Sequence, residues 1–147
     1  STLFPYTTLF RSPYSAASLH AALAGRSRAD ILGAGGSLAL RGPLVALADG
    51  AYRSKDASHV RAGDNVLEVL EAGFWAFDRT RTFADGALLA ANLGGAADVV
   101  GAVYGQIAGA HYGLASIPEG WRNTLIKRDL IEGLAARLSR HVAAAKI

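Results

Sequence analysis

The 147-residue chain contains no cysteine and no methionine, and it is sparing with aromatics (8%) and charges (18%). Without cysteine there is no disulfide framework, no thiol nucleophile and no thiolate metal ligand. That fits a cytoplasmic location. Without methionine, the native start is expected to lie outside these residues. No signal peptide is visible. Charge of one sign is also lacking: 15 Lys and Arg face 12 Asp and Glu, a net charge of +3. No Lys/Arg cluster with interleaved aromatics is present to track a phosphate backbone, which excludes a nucleic-acid partner. Long runs of leucine and isoleucine are missing too. Between Asp85 and Glu119 the only formal charge is Asp98, and Val99 to Pro118 gives twenty uncharged residues. That length would suit a membrane span. The segment leans on Gly and Ala, however, and includes Gln106, His111, Tyr112 and Ser116. It is read as a buried helix, with no membrane partner.

The opening "STLFPYTTLFRS" is set apart. Back-translated, TLFPYTTLFRS resembles a common short-read sequencing adapter. Residues 1–12 are therefore expected to be an adapter artefact and not native sequence. Omitting Arg11 leaves 14 basic against 12 acidic residues, a net charge of +2. Residues 13–147 have the length of one domain or a piece of one.

What is present reads as helix. "SPYSAASLHAALAG" has Ala16, Leu19, Ala22 and Leu23 on one face. "DILGAGGSLALRGP" is broken by its glycines and Pro43, and "LVALADGAYRSK" is a short helix stopping near Gly50. "VRAGDNVLEVLEAGFWAF" is the clearest amphipathic helix, with Asp64 as N-cap. Val66, Leu70, Phe74 and Phe77 fall on one side, and Glu68 and Glu71 point away. "TFADGALLAANLGG" has Thr82 as cap and Gly94 as stop. A last helical region follows Pro118 and carries Trp121, Leu125, Ile131, Leu134 and Leu138. Strand-like alternation is absent, so the fold class is all-α.

Gly101, Gly105, Gly109 and Gly113 recur every fourth residue and share a helical ridge. Each helical glycine costs about 1 kcal/mol relative to alanine, which tertiary packing should offset. The expectation is a buried helix from Asp98 to Tyr112. Gly101, Gly105 and Gly109 would face another helix at close range, either the Val66–Phe77 one or the one starting near Thr82. Asp98 is then either a cap at the helix start, where a carboxylate meets free N–H groups and the positive dipole end, or a metal ligand.

Other candidates carry less. "DILGAGGSLAL" invites a dinucleotide fingerprint with Asp49 as the acidic partner. But the third glycine position is Leu38, and Pro43 leaves no room for the phosphate-binding helix. His20, His59, His111 and His141 form no ligand spacing. Asp129 and Glu132, with Arg128, read as a solvated helix face.

Four blocks carry a resemblance: "LEAGFWAF" (Leu70–Phe77), "ANLGGAAD" (Ala91–Asp98), "GQIAGAHYGL" (Gly105–Leu114) and "IPEGW" (Ile117–Trp121). In order and spacing they resemble the C-terminal part of the ADP-ribosylglycohydrolase family, which includes ADP-ribosylarginine hydrolases and the dinitrogenase reductase-activating glycohydrolase. Residues 13–147 are accordingly expected to be the C-terminal portion of one such domain. The resemblance implies a compact all-α bundle with two magnesium or manganese ions in a central cleft. It also implies metal-dependent hydrolysis of the bond joining ADP-ribose to a protein side chain or small acceptor. Hard oxygen ligands suit such ions.

This sequence departs from the family pattern at the site. After "NLG" the family places Gly or Asp, Asp, a small residue, Asp and Thr. The metal-site positions here read Ala96, Asp98 and Val99. The family's "SGY" turn, which helps seat ADP-ribose, aligns with Gly63, Asp64 and Asn65. Its paired aspartates after a threonine have no counterpart. Asp98 is therefore expected to act as a helix cap, the chain to bind no metal and to be inactive alone, and no catalytic residue is assigned. The expected partners are an ADP-ribosylated protein or an ADP-ribose-containing small molecule, with self-association of the chain. The alternative is a catalytically dead binding or structural member of the same fold.

Overall fold

The computed structural model describes residues 5–40, 42–63 and 65–144. The elements with regular structure are helices: α1 (Pro5–Leu23), α2 (Arg28–Gly33), α3 (Pro43–Ala48), α4 (Val66–Arg79), α5 (Phe83–Ala91), α6 (Ala97–Tyr112), α7 (Glu119–Asn123) and α8 (Arg128–Ala144). Short 3-10 turns join several of them. No strand occurs among the described residues, so the expected all-α class holds. The chain divides into two units, residues 1–116 and 117–147. No helix among the described residues is long and apolar enough to cross a membrane.

In the first unit, α1 begins at Pro5, ahead of the expected start at Ser12, and runs through Pro13. The side chains of residues 1–12 lie outside the described residues. The buried face of α1 is Tyr14, Ser18 and Ala22, an i, i+4, i+8 row. Of the expected face, Ala16, Leu19, Ala22 and Leu23, only Ala22 belongs to it; Leu23 is 71% exposed. Tyr14 stacks on Phe74 of α4 at 4.8 Å between ring centroids, and Tyr52 lies 6.3 Å from the same ring. Gly35 makes room for Tyr14: a Cβ there would stand 2.4 Å from the tyrosine ring.

Helix starts follow local chemistry. Ser27 and Asp30 form a capping box at α2. Thr82 caps α5 as expected, its hydroxyl accepting from the Asp85 N–H at 3.1 Å. The expected cap Asp64 lies outside the described residues; Asn65 caps α4, accepting from the Leu67 N–H at 2.9 Å. Val66 is exposed, whereas Val69, Leu70 and every residue from Ala72 to Phe77 are buried. An all-round buried helix is what a central position demands. Glu68 and Glu71 do not simply point to solvent. Both are half-buried, and Glu71 takes an ion pair from Lys55 at 2.5 Å.

The close helix contacts are made by glycines other than the expected row. A Cβ on Gly73 of α4 would lie 2.7 Å from Val103 Cγ1, and one on Gly86 of α5 would lie 2.2 Å from the Tyr104 hydroxyl. Gly101, Gly105 and Gly109 have nothing within 4 Å of a Cβ position. The expected close-packed ridge is therefore overturned. Helix α6 buries Val100, Tyr104, Ile107 and Ala108 instead, and the glycines lie off that face.

Three buried hydroxyls, on Tyr14, Ser18 and Tyr52, find no hydrogen-bond partner among the described residues. An unpaired buried hydroxyl costs about 1–3 kcal/mol. Ser18→Ala is expected to raise the melting temperature, or at least not lower it, in a thermal unfolding experiment. A clear drop would show that Ser18 has a partner.

In the second unit, Arg128 ties to Glu132 at 2.7 Å and to Asn123 at 2.9 Å. This places Arg128 and Glu132 as the expected solvated face; Asp129 is exposed as well. Leu130, Ile131, Leu134 and Leu138 of α8 are also exposed.

Candidate functional site

Two loops meet at the start of α6. The Ala96 N–H donates to the Ala62 carbonyl at 2.8 Å. Gly95, at φ +54°, is pressed against the same carbonyl, so that a Cβ there would lie 2.1 Å from it. Glycine suits this position twice over, by its left-handed φ and by the lack of a Cβ. The contact brings the segment holding Gly63 and Asn65 beside the one holding Ala96, Asp98 and Val99. Sequence spacing gives no hint of this pairing across more than thirty positions.

The N-cap of α6 is Ala96, with φ −80° and ψ 43° and no side-chain cap hydrogen bond. Asp98 is therefore not the cap, contrary to expectation. It is the second residue of the first turn, exposed, and makes no side-chain hydrogen bond or ion pair among the described residues. Its place in the first turn still puts it at the positive end of the helix dipole. The reason is a shift of register: the helix begins at Ala97, one residue ahead of Asp98, and Ala96 offers no oxygen to close the turn. Val99 is 47% exposed. Apolar exposure there leaves a surface where the resemblance implies a hydroxyl.

Gly63 is half-buried, and the Glu68 carboxylate rests against it; a Cβ on Gly63 would lie 2.0 Å from that oxygen. Asn65 is exposed and occupied as the α4 cap. Asp64 lies outside the described residues. No group of three or more His, Cys, Asp or Glu side chains able to hold a metal occurs among the described residues. One carboxylate, flanked by Ala96 and Val99, does not fit a centre of two hard cations, each of which needs about six oxygen ligands.

At the opposite ends of α4 and α6 sits a residue that sequence reading passes over. Arg28 of α2 donates to the carbonyls of Phe77 and Thr80 and to the Tyr112 hydroxyl, the Thr80 bond measuring 2.7 Å. Its guanidinium lies 4.3 Å from the centroid of the Phe77 ring. It thus closes the C-terminal end of α4, whose last carbonyls lack helical partners, and ties it to the end of α6. His111 packs edge-on to Phe77 at 5.4 Å between centroids. Desolvation, and then the Arg28 charge, lower its pKa below the ordinary histidine value. It is a half-buried side chain packed on an aromatic ring. The sequence signal for Arg28 is its place directly after the Ser27 cap.

Comparison with known proteins follows the same lines. A family model described as ADP-ribosylglycohydrolase matches residues 11–146. An ADP-ribosylarginine hydrolase, Tri1, of Serratia proteamaculans (strain 568) is 45% identical over 89 residues, 60% of this chain and 24% of that protein. The protein of the same name from Pseudomonas putida (strain GB-1) is 37% identical over 123 residues, 84% of this chain and 33% of that protein. A solved structure titled ADP-ribosylglycohydrolase-related protein complex aligns with a TM-score of 0.82 at 37% identity, covering 90% of this chain and 46% of that one. The chain spans a quarter to a third of the length of the curated relatives it matches.

Proposed function

The chain belongs to the ADP-ribosylglycohydrolase family, and from that premise we propose that it forms one wall of a site for hydrolysis of the bond between ADP-ribose and a protein arginine. The names of the relatives support arginine as the acceptor. The observation that carries the reading is the Ala96–Ala62 backbone contact, which brings the neighbour of Gly63 to the start of α6. In this proposal the Gly63–Asn65 loop contacts the ADP-ribose moiety, and the first turn of α6 supplies one carboxylate, Asp98. The remaining oxygen ligands for magnesium or manganese have to come from sequence that a family-length protein adds. On its own the chain does not turn over substrate. We place residues 13–147 as the C-terminal portion of such a domain and the protein in the cytoplasm.

A second reading has its own observation: Ala96 and Val99 offer no side-chain oxygen, so the same fold would serve as a binding or structural member without activity.

A graft separates the two. The hydrolase reading expects transplanting Gly95–Val100, "GAADVV", into a complete relative to leave release of ADP-ribose from an ADP-ribosyl-arginine substrate largely intact, and the inactive reading expects a loss of about 100-fold or more. Changes in the surroundings of metal ligands alone already cost 10–100-fold. Restoring Ala96→Asp and Val99→Thr within the graft is expected to bring turnover back. Full turnover by the unrestored graft would show that Asp98 suffices and would sink the inactive reading. Failure of the restored graft would remove the assignment of positions 96 and 99 to the metal site.

A further inference from the structure

A pocket of about 200 Å³ lies between residues 55–61 and the first turns of α4. That is below the roughly 300 Å³ at which drug-sized ligands become usual, so its occupant is small. Leu47 and Leu67 give it an aliphatic lining, and Lys55, His59, Arg61, Glu68 and Glu71 a charged one. The wall is fixed. The Trp75 indole N–H donates to the Lys55 carbonyl at 2.9 Å, and Arg79 donates to the Lys55 and Arg53 carbonyls at 2.8 and 3.2 Å.

The charges select the ligand class. Lys55 and Glu71 are paired at 2.5 Å and cancel. Arg61 and Glu68 enter no ion pair among the described residues. Glu68 is held in place, its carboxylate seated against the bare backbone of Gly63. The unpaired Glu68 carboxylate disfavours a phosphate dianion, and Arg61 disfavours a polyamine or a metal ion. What remains is a molecule with one anionic end, one cationic end and a short carbon chain.

We propose that this pocket binds a small zwitterion of the amino-acid type, with its carboxylate on Arg61 and His59, its ammonium on Glu68 and its side chain on Leu47 and Leu67. The site is separate from the first turn of α6. Arg61 lines the pocket, while the next residue, Ala62, gives its carbonyl to Ala96. The proposal goes beyond the hydrolase reading and stands or falls without it.

The test is an NMR titration of the labelled 147-residue chain with three probes: L-leucine, isocaproate, which lacks the ammonium, and isoamylamine, which lacks the carboxylate. L-Leucine is expected to shift the amides of Arg61, Leu67 and Glu68 with millimolar affinity. Each truncated probe is expected to bind about tenfold more weakly, as loss of one charged hydrogen bond implies. Arg61→Ala and Glu68→Gln should each weaken L-leucine to a similar degree, and Arg140→Ala in α8 should change nothing. Arg61 is exposed, so its variant keeps the fold and decides the matter even if Glu68→Gln does not. No shift with L-leucine at tens of millimolar overturns the proposal. So does equal binding of isocaproate, which would mean a simple anion site, or full L-leucine binding by Arg61→Ala.

Discussion

Gly86→Leu is expected to destabilise the first unit by about 3 kcal/mol or more, the upper range for overpacking a filled core. The melting temperature should fall by roughly 10 °C or more. Any Cβ at position 86 would sit 2.2 Å from the Tyr104 hydroxyl oxygen and 2.3 Å from Cζ. Tyr104 cannot step aside cheaply. It is fully buried, and its hydroxyl donates to the Phe83 carbonyl at 2.9 Å, with the Thr82 carbonyl at 3.1 Å. Burial pushes its pKa up to about 12, so the phenol stays protonated and keeps donating across the accessible pH range. The control is Gly105→Ala on α6, where nothing lies within 4 Å. There the added methyl should stabilise by up to about 1 kcal/mol through helix propensity. Opposite signs for two glycine substitutions in adjoining helices are the expected result of paired thermal melts. Equal effects would mean that Tyr104 is not locked in place.

That contrast marks what could be read from the sequence. A spacing of four glycines tells which face of a helix lacks side chains, and nothing about whether a neighbour lies there. The true close approaches depend on a glycine meeting a large partner far along the chain, Gly86 with Tyr104 and Gly35 with Tyr14. No local pattern encodes those pairs. Caps made by adjacent residues are legible: Thr82 is the sequence's candidate and the observed cap of α5, whereas before α4 both Asp64 and Asn65 suit the role and Asn65 takes it. Asp98 shows the same limit. A carboxylate near a helix start is visible in sequence, but cap and second residue differ by a register shift that the flat run of alanines does not fix. The all-α class followed from the absence of alternation, and the family from four spaced blocks. Positions 96, 98 and 99 carry one carboxylate and no other side-chain oxygen, which the sequence shows directly. What the sequence lacked was the hydrogen bond from Ala96 to Ala62 that brings the two site segments together.

Arg28→Met is expected to cost about 2–4 kcal/mol and to change how stability depends on pH. Three acceptors lose a charged donor together: the Phe77 and Thr80 carbonyls at the end of α4 and the Tyr112 hydroxyl. Hydrogen bonds to charged groups contribute about 1.5–3 kcal/mol each, and those sharing one guanidinium do not add. Arg28→Lys should recover only part of the loss, since a single ammonium cannot reach three diverging oxygens as a planar fork does. The pH effect runs through His111, which faces the Phe77 ring of α4, its neighbour Tyr112 and the Arg28 charge from α2. Its folded pKa lies below the unfolded value of 6.5, chiefly through desolvation and secondly through Arg28. The unfolded state therefore binds the proton more readily. Stability is held above pH 6.5, falls as pH drops through that value, and levels off below the folded pKa. Removing Arg28 removes the second cause, so the folded pKa rises toward the unfolded one and the acid-side loss shrinks. Melting temperatures between pH 7.5 and about pH 5 should fall less steeply in Arg28→Met than in the parent chain, and His111→Phe should flatten both curves alike. A steeper fall in Arg28→Met, or one that survives His111→Phe, would place the titrating group elsewhere.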